Sequence, residues 1–126
     1  MIPKFKAYDL NEKEWIDIRY IELRDDGSLW YVQAWDECER DIDPPYFEED
    51  LGKIWALMQS SGLTDYHYSE YFEGDIARDV TSEEIGVVEY VEGKFVMRFD
   101  GGDSVDLSDV KDEFEIVGNK FEEDIY

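Results

Sequence analysis

From residue 86 onward the chain alternates short apolar runs with glycine-centred turns, and that spacing commits it to antiparallel β-structure. Gly86-Val87-Val88-Glu89-Tyr90-Val91 is followed by Glu92-Gly93 and then by Lys94-Phe95-Val96-Met97-Arg98-Phe99. Two residues cannot carry a chain through a crossover, so the two runs must pair as a hairpin. Asp100-Gly101-Gly102-Asp103 is another tight turn, leading to Val105 and Leu107, and Phe114-Glu115-Ile116-Val117-Gly118 closes the set. Upstream, Phe72-Glu73-Gly74-Asp75-Ile76 reads as a turn feeding a strand. Gly74 suits the positive φ of a tight bend, and Asp75 suits acceptance of a nearby backbone N–H. Short strands joined by close glycine turns predict a small antiparallel barrel or sandwich.

The first third also reads as strands. Phe5 and Ala7 open a short one. The run from Trp15 to Leu23 alternates Ile16, Ile18 and Tyr20 against polar neighbours, then shifts phase near Ile21. Asp26-Gly27 is a strong hairpin signal, with Leu29 to Trp35 as the return strand. The stretch from Asp36 to Asp50 changes character. It is acidic and holds Pro44-Pro45, which oppose both helix and ladder, so it is expected to be a loop or linker. The expected organisation is an N-terminal β unit with this linker over residues 1–50 and a β-barrel over residues 51–126. Leu51 to Met58 fits two patterns. Leu51, Ile54, Trp55 and Met58 have helical spacing, while Ile54, Ala56 and Met58 also alternate as a strand does.

Charge limits the partners. Lys and Arg number 12 against 34 Asp and Glu, a net charge of −22 that repels nucleic-acid phosphates and anionic lipid. Direct nucleic-acid binding and membrane association are therefore not expected, and a basic protein partner is. Four Trp, nine Tyr and seven Phe are many rings for one small core, so some are expected at a partner or subunit interface, and a homo-oligomer is expected. The single cysteine, Cys38, forms no internal disulfide. With no apolar leader at residues 1–6 and no membrane-length apolar run, a cytoplasmic protein is expected.

No reaction centre emerges. Acidic residues are so common that a pair of them carries no information about acid–base chemistry. The series Asp100, Asp103, Asp106, Asp109, Asp112 fails as an EF-hand, because Val105 stands where the loop needs glycine and Lys111 where it needs glutamate. His67 is the lone histidine, between Tyr66 and Tyr68 at an expected loop tip. Cys38 sits among Asp36, Glu37 and Glu39, whose charge disfavours a thiolate. No phosphate loop or dinucleotide fingerprint is present. The expectation is a protein without enzymatic activity, cofactor or metal.

Several pieces resemble one family. Leu57-Met58-Gln59-Ser60-Ser61-Gly62-Leu63-Thr64-Asp65, followed by Tyr71-Phe72-Glu73-Gly74-Asp75-Ile76, resembles the signature of the YopX family of phage and prophage proteins. The opening Lys4-Phe5-Lys6-Ala7-Tyr8-Asp9 and the closing Glu115-Ile116-Val117-Gly118-Asn119-Lys120-Phe121-Glu122 resemble that family's two ends, in family order. Ser60 departs from a position where an aromatic is common, and Tyr66 to Ser69 replace a usual polar, glycine-containing turn. The resemblance implies an SH3-like barrel in the C-terminal part, a phage or prophage origin with residence in the bacterial host cytoplasm, and no established enzymatic activity. It implies that the two parts pack as one domain, and it favours strand for Ile54 to Gln59.

Function is then expected to be protein binding or assembly. The alternative is an acidic nucleic-acid mimic that blocks a basic host or phage protein. The expected contact residues are Glu48, Glu49 and Asp50 in the first acidic stretch and Asp100, Asp103 and Asp106 in the second, since both concentrate carboxylates in loops or edges.

Overall fold

The computed structural model describes residues 4–122. Residues 1–3, read above for a leader, and residues 123–126 lie outside them. Strands dominate, in curled antiparallel sheets that include a half-barrel, so the expectation of a mainly β protein is met. Contacts divide the chain into two units, residues 6–57 and residues 4–5 with 58–122. Both divisions fall inside strands, one in β1 (Phe5–Asp9) and one in β6 (Trp55–Thr64).

In the unit of residues 6–57, β1 pairs antiparallel with β2 (Glu14–Ile16), setting Ala7 opposite Ile16 and Tyr8 opposite Trp15. Buried Asp9 closes the intervening turn. Its carboxylate accepts the backbone N–H groups of Glu12 (2.8 Å) and Asn11 (2.9 Å) and the Tyr46 hydroxyl (2.6 Å). The run expected as one strand from Trp15 to Leu23 breaks at Asp17 into β2 and β3 (Ile18–Leu23). β3 returns through Gly27 (φ +88°) as β4 (Leu29–Trp35), as the Asp-Gly signal requires.

The stretch from Asp36 to Asp50 is the main correction. It is not a linker. Asp41–Phe47 forms β5, which pairs with β4 at the edge of a three-stranded sheet ordered β3-β4-β5. The edge position tolerates prolines that lack an N–H, and the register shifts between Val32 and Ala34 where they sit. Buried Gln33 fills the gap, its amide donating to the carbonyls of Ala34 (2.9 Å) and Ile42 (3.1 Å). Beneath lies a core of Ala7, Val32 and Trp55. The Trp55 indole N–H donates to the Phe47 carbonyl at 2.7 Å, so its burial leaves no orphan donor.

The open pattern at Leu51 to Met58 resolves as a turn through Ile54 and strand from Trp55, where β6 begins, so the strand favoured for Ile54 to Gln59 is met from Trp55 on. β6 carries the chain into the unit of residues 4–5 and 58–122. β6 pairs with β7 (Glu70–Phe72). β8 (Asp75–Asp79), β9 (Ile85–Val91), β10 (Lys94–Phe99), β11 (Ser104–Asp106) and β12 (Phe114–Asn119) form one antiparallel sheet ordered β11-β10-β9-β8-β12. The β9–β10 hairpin has the register read from sequence, Val91 opposite Lys94, and Glu92 and Gly93 both have positive φ. A short helix α1 (Leu107–Val110) follows β11. Tyr71, Ala77, Val88, Met97, Leu107 and Phe114 form the core. The expected SH3-like barrel is met only as this curled sheet with two end strands.

A polar knot locks the sheet to the turn before it. Gly74 has φ +89°, and a side chain there would be strained. Asp75, buried, accepts the Phe72 N–H at 2.8 Å, as expected from the sequence, and the Asn119 amide at 3.0 Å. Buried Asn119 in turn accepts the Phe121 N–H at 3.0 Å.

Candidate functional site

A surface that binds another protein needs large rings left exposed on a rigid frame, with a polar rim. β3 and β4 supply the frame. Tyr31 is the centre of an aromatic cluster, with edge-to-face contacts to Trp30 (5.3 Å between centroids), Phe47 (5.8 Å) and Tyr20 (6.1 Å). Trp30 is 45% exposed and Tyr20 41%. The same unit buries Trp55 completely. A hydrogen bond with Tyr20, then partial desolvation and the negative charges of Glu22 and Asp41, pushes the Tyr31 hydroxyl up to about 12.

Of the expected contact residues, Glu48, Glu49 and Asp50 form a 3-10 turn that follows Phe47 directly. Glu48 and Glu49 are exposed and Asp50 half-buried, and Arg24 reaches Glu48 at 4.0 Å. Asp100, Asp103 and Asp106 belong to the other unit. Asp100 and Asp103 are exposed on the β10–β11 turn, closed by the bond from Phe99 N–H to the Asp103 carbonyl (2.8 Å). Asp106 is half-buried and pairs with Lys94 at 2.9 Å, which raises the pKa of that lysine. The carboxylates from Asp100 to Asp112 are thus spread over a turn, a strand and a helix. Among the described residues no group of three or more His, Cys, Asp or Glu is arranged to hold a metal ion.

His67 lies on a loop held by Asp65, whose carboxylate accepts the N–H groups of His67 (2.9 Å), Ser69 (2.8 Å) and Ile116 (2.8 Å). The His67 ring meets Glu115 at 3.3 Å, and Arg78 meets the other oxygen of Glu115 at 3.1 Å. The Arg78 hydrogen bond, seconded by His67, holds the Glu115 carboxyl below its ordinary value. Cys38 is exposed.

The family model for YopX protein matches residues 4–124. The chain belongs to the YopX family. Its fold is similar to a crystal structure of a protein from Enterococcus faecalis, at 24% identity and a TM-score of 0.65, covering 97% of this chain and 95% of that one. It is similar at the same TM-score to the crystal structure of YopX from Bacillus subtilis, at 13% identity, covering 93% of this chain and 91% of that one. A search of curated proteins finds no match. In this YopX-family chain Gly74, Asp75 and Asn119, from the stretches that carried the resemblance, meet in the buried knot. The aromatic cluster was invisible as a site in the sequence, which announced an excess of rings but not which ones share a face. Among the described residues no helix is long and apolar enough to cross a membrane.

Proposed function

We propose that this chain is a phage- or prophage-encoded, non-enzymatic protein-binding module that docks a basic partner on the Tyr20, Trp30, Tyr31 and Phe47 cluster. The observation that carries the reading is the exposure of Trp30 and Tyr20 beside the acidic turn at Glu48 and Glu49. Exposed rings supply contact area, and rim carboxylates steer a basic surface toward them. The net charge of −22 favours such a partner over an acidic one.

The test is affinity capture from bacterial host lysate at low and moderate salt, with wild type, Y20S/W30S and E48K/E49K/D50K side by side. Basic proteins should be recovered by wild type and lost with the ring variant, and the charge variant should lose them chiefly at low salt. Equal recovery by all three chains would refute the reading. Competition by duplex DNA for the captured partner would turn the reading into nucleic-acid mimicry, in which the carboxylates occupy a phosphate-binding surface.

A further inference from the structure

At the end of β4 away from the Gly27 turn, a cleft of about 210 Å³ opens between the β2–β3 break and the β4–β5 connection. Trp15, Trp35 and Tyr46 line it together with aliphatic side chains, and Glu14, Asp17, Asp36 and Glu37 complete it; no Lys, Arg or His is among its lining residues. Its walls are tied together by the Trp35 N–H, which donates to the Asp17 carbonyl at 3.1 Å. Asp36 shapes the connection by accepting the N–H groups of Cys38 (2.9 Å) and Arg40 (3.0 Å), and the exposed Arg40 side chain stands 3.4 Å from it. Glu14, Asp17 and Glu37 are exposed.

Indole walls with carboxylates around them select for a planar cation. A guanidinium stacks on an aromatic face and forks onto a carboxylate, while an ammonium is more strongly hydrated and pairs as a point charge. Anions are repelled, and an apolar ligand would desolvate carboxylates without compensation. The chain already uses this chemistry beside the cleft. The Arg19 guanidinium lies 5.2 Å from the Trp35 ring centroid and pairs with Asp41 at 2.7 Å, and the Lys6 ammonium lies 5.4 Å from that of Trp15. Neither cation lines the cleft itself.

We propose that this cleft receives an arginine side chain of the basic partner. The proposal rests on the reading of a basic protein partner, but its test needs none. N-acetyl-arginine amide is titrated into the full chain while the four indole N–H signals are followed by NMR. The Trp15 and Trp35 signals should shift saturably with an affinity on the order of 1 mM, and those of Trp30 and Trp55 should not. N-acetyl-lysine amide should bind at least about threefold more weakly. The variant E14Q/D17N/E37Q removes three exposed charges and should weaken arginine binding about fivefold with its unfolding midpoint unchanged. No saturable shift, an equal shift at Trp30, equal binding of the lysine probe, or no loss in the variant would each overturn the proposal. So would Trp15 and Trp35 signals that ignore arginine but move on dilution, which would assign the cleft to a second copy of the chain. Capture of a basic partner without an arginine shift removes only this inference. An arginine shift without any captured basic protein would keep the cleft as an arginine site but overturn its assignment to a basic protein partner.

Discussion

Replacing Asp75 by alanine tests whether the stretch that marks the family is structural. The substitution removes a buried carboxylate that accepts the Phe72 N–H at 2.8 Å and the Asn119 amide at 3.0 Å. A hydrogen bond to a charged acceptor contributes about 1.5–3 kcal/mol, and a buried donor left unpaired adds a similar penalty, so D75A should cost roughly 3–5 kcal/mol. A domain of this size has a total stability of about 5–15 kcal/mol, so the loss is a large share of it. D75N keeps one acceptor oxygen and turns an amide toward the other donor, and should cost about half as much. D100A, on an exposed turn, should stay within about 0.5 kcal/mol of wild type. The assay is urea unfolding followed by circular dichroism. With a slope of about 1–3 kcal/mol per molar urea, the D75A midpoint should fall by roughly 2 M. A midpoint indistinguishable from that of D100A would refute the reasoning and reopen Asp75 as a residue kept for chemistry.

Further outcomes concern protons, charge and assembly. Burial raises the pKa values of Tyr46 and Tyr71, the hydroxyl bond to Asp9 adds to the shift at Tyr46, and Tyr31 is pushed up to about 12 from an ordinary 10.0. The folded state therefore holds protons that the unfolded chain releases, so this stabilisation is complete below the ordinary tyrosine value and lost as pH rises through about 12. Tyrosinate absorbance at about pH 11 should show part of the nine tyrosines still protonated, and full ionisation there would contradict it. The E48K/E49K/D50K variant should keep its unfolding free energy within about 1.5 kcal/mol of wild type, since each change is exposed or half-exposed, while slowing association with a captured basic partner several-fold at low salt. Stopped-flow rates at two salt concentrations decide this. If the chain self-associates through its rings, sedimentation should show more oligomer as salt rises, because screening relieves the repulsion of −22 charges.

The hairpins were legible because their turns are made by local chemistry. Gly27, Gly74 and Glu92-Gly93 bend where the sequence says they must, and their strands follow from length and alternation. Pro44-Pro45 misled because local chemistry does not know position. The same dipeptide that would break a central strand sits at a sheet edge, with Gln33 on the neighbouring strand supplying a donor. Gly86 passed unnoticed for the same reason. A side chain there would stand 2.7 Å from the Met97 Cγ and Sδ atoms, a constraint created only when β9 and β10 pair. The contact residues were chosen by charge, and charge picks out loops. The rings of Tyr20, Tyr31 and Phe47 come together through two strand pairings, and Trp30 joins them as the chain neighbour of Tyr31.

The division of the chain has a consequence in time. Ser60 donates its N–H to the Lys4 carbonyl at 2.8 Å, and residues 4–5 belong with residues 58–122, so residues 6–57 form an insertion within the other unit. On the ribosome, Lys4 emerges well before Ser60 exists, and it must wait while the whole inserted unit is made. The inserted unit has its own core and its own local hairpin at Gly27. The host unit pairs β8, β9 and β10 with their chain neighbours. The Lys4–Ser60 bond closes a much longer loop than the β8–β9 and β9–β10 pairings do, so it carries the larger closure entropy.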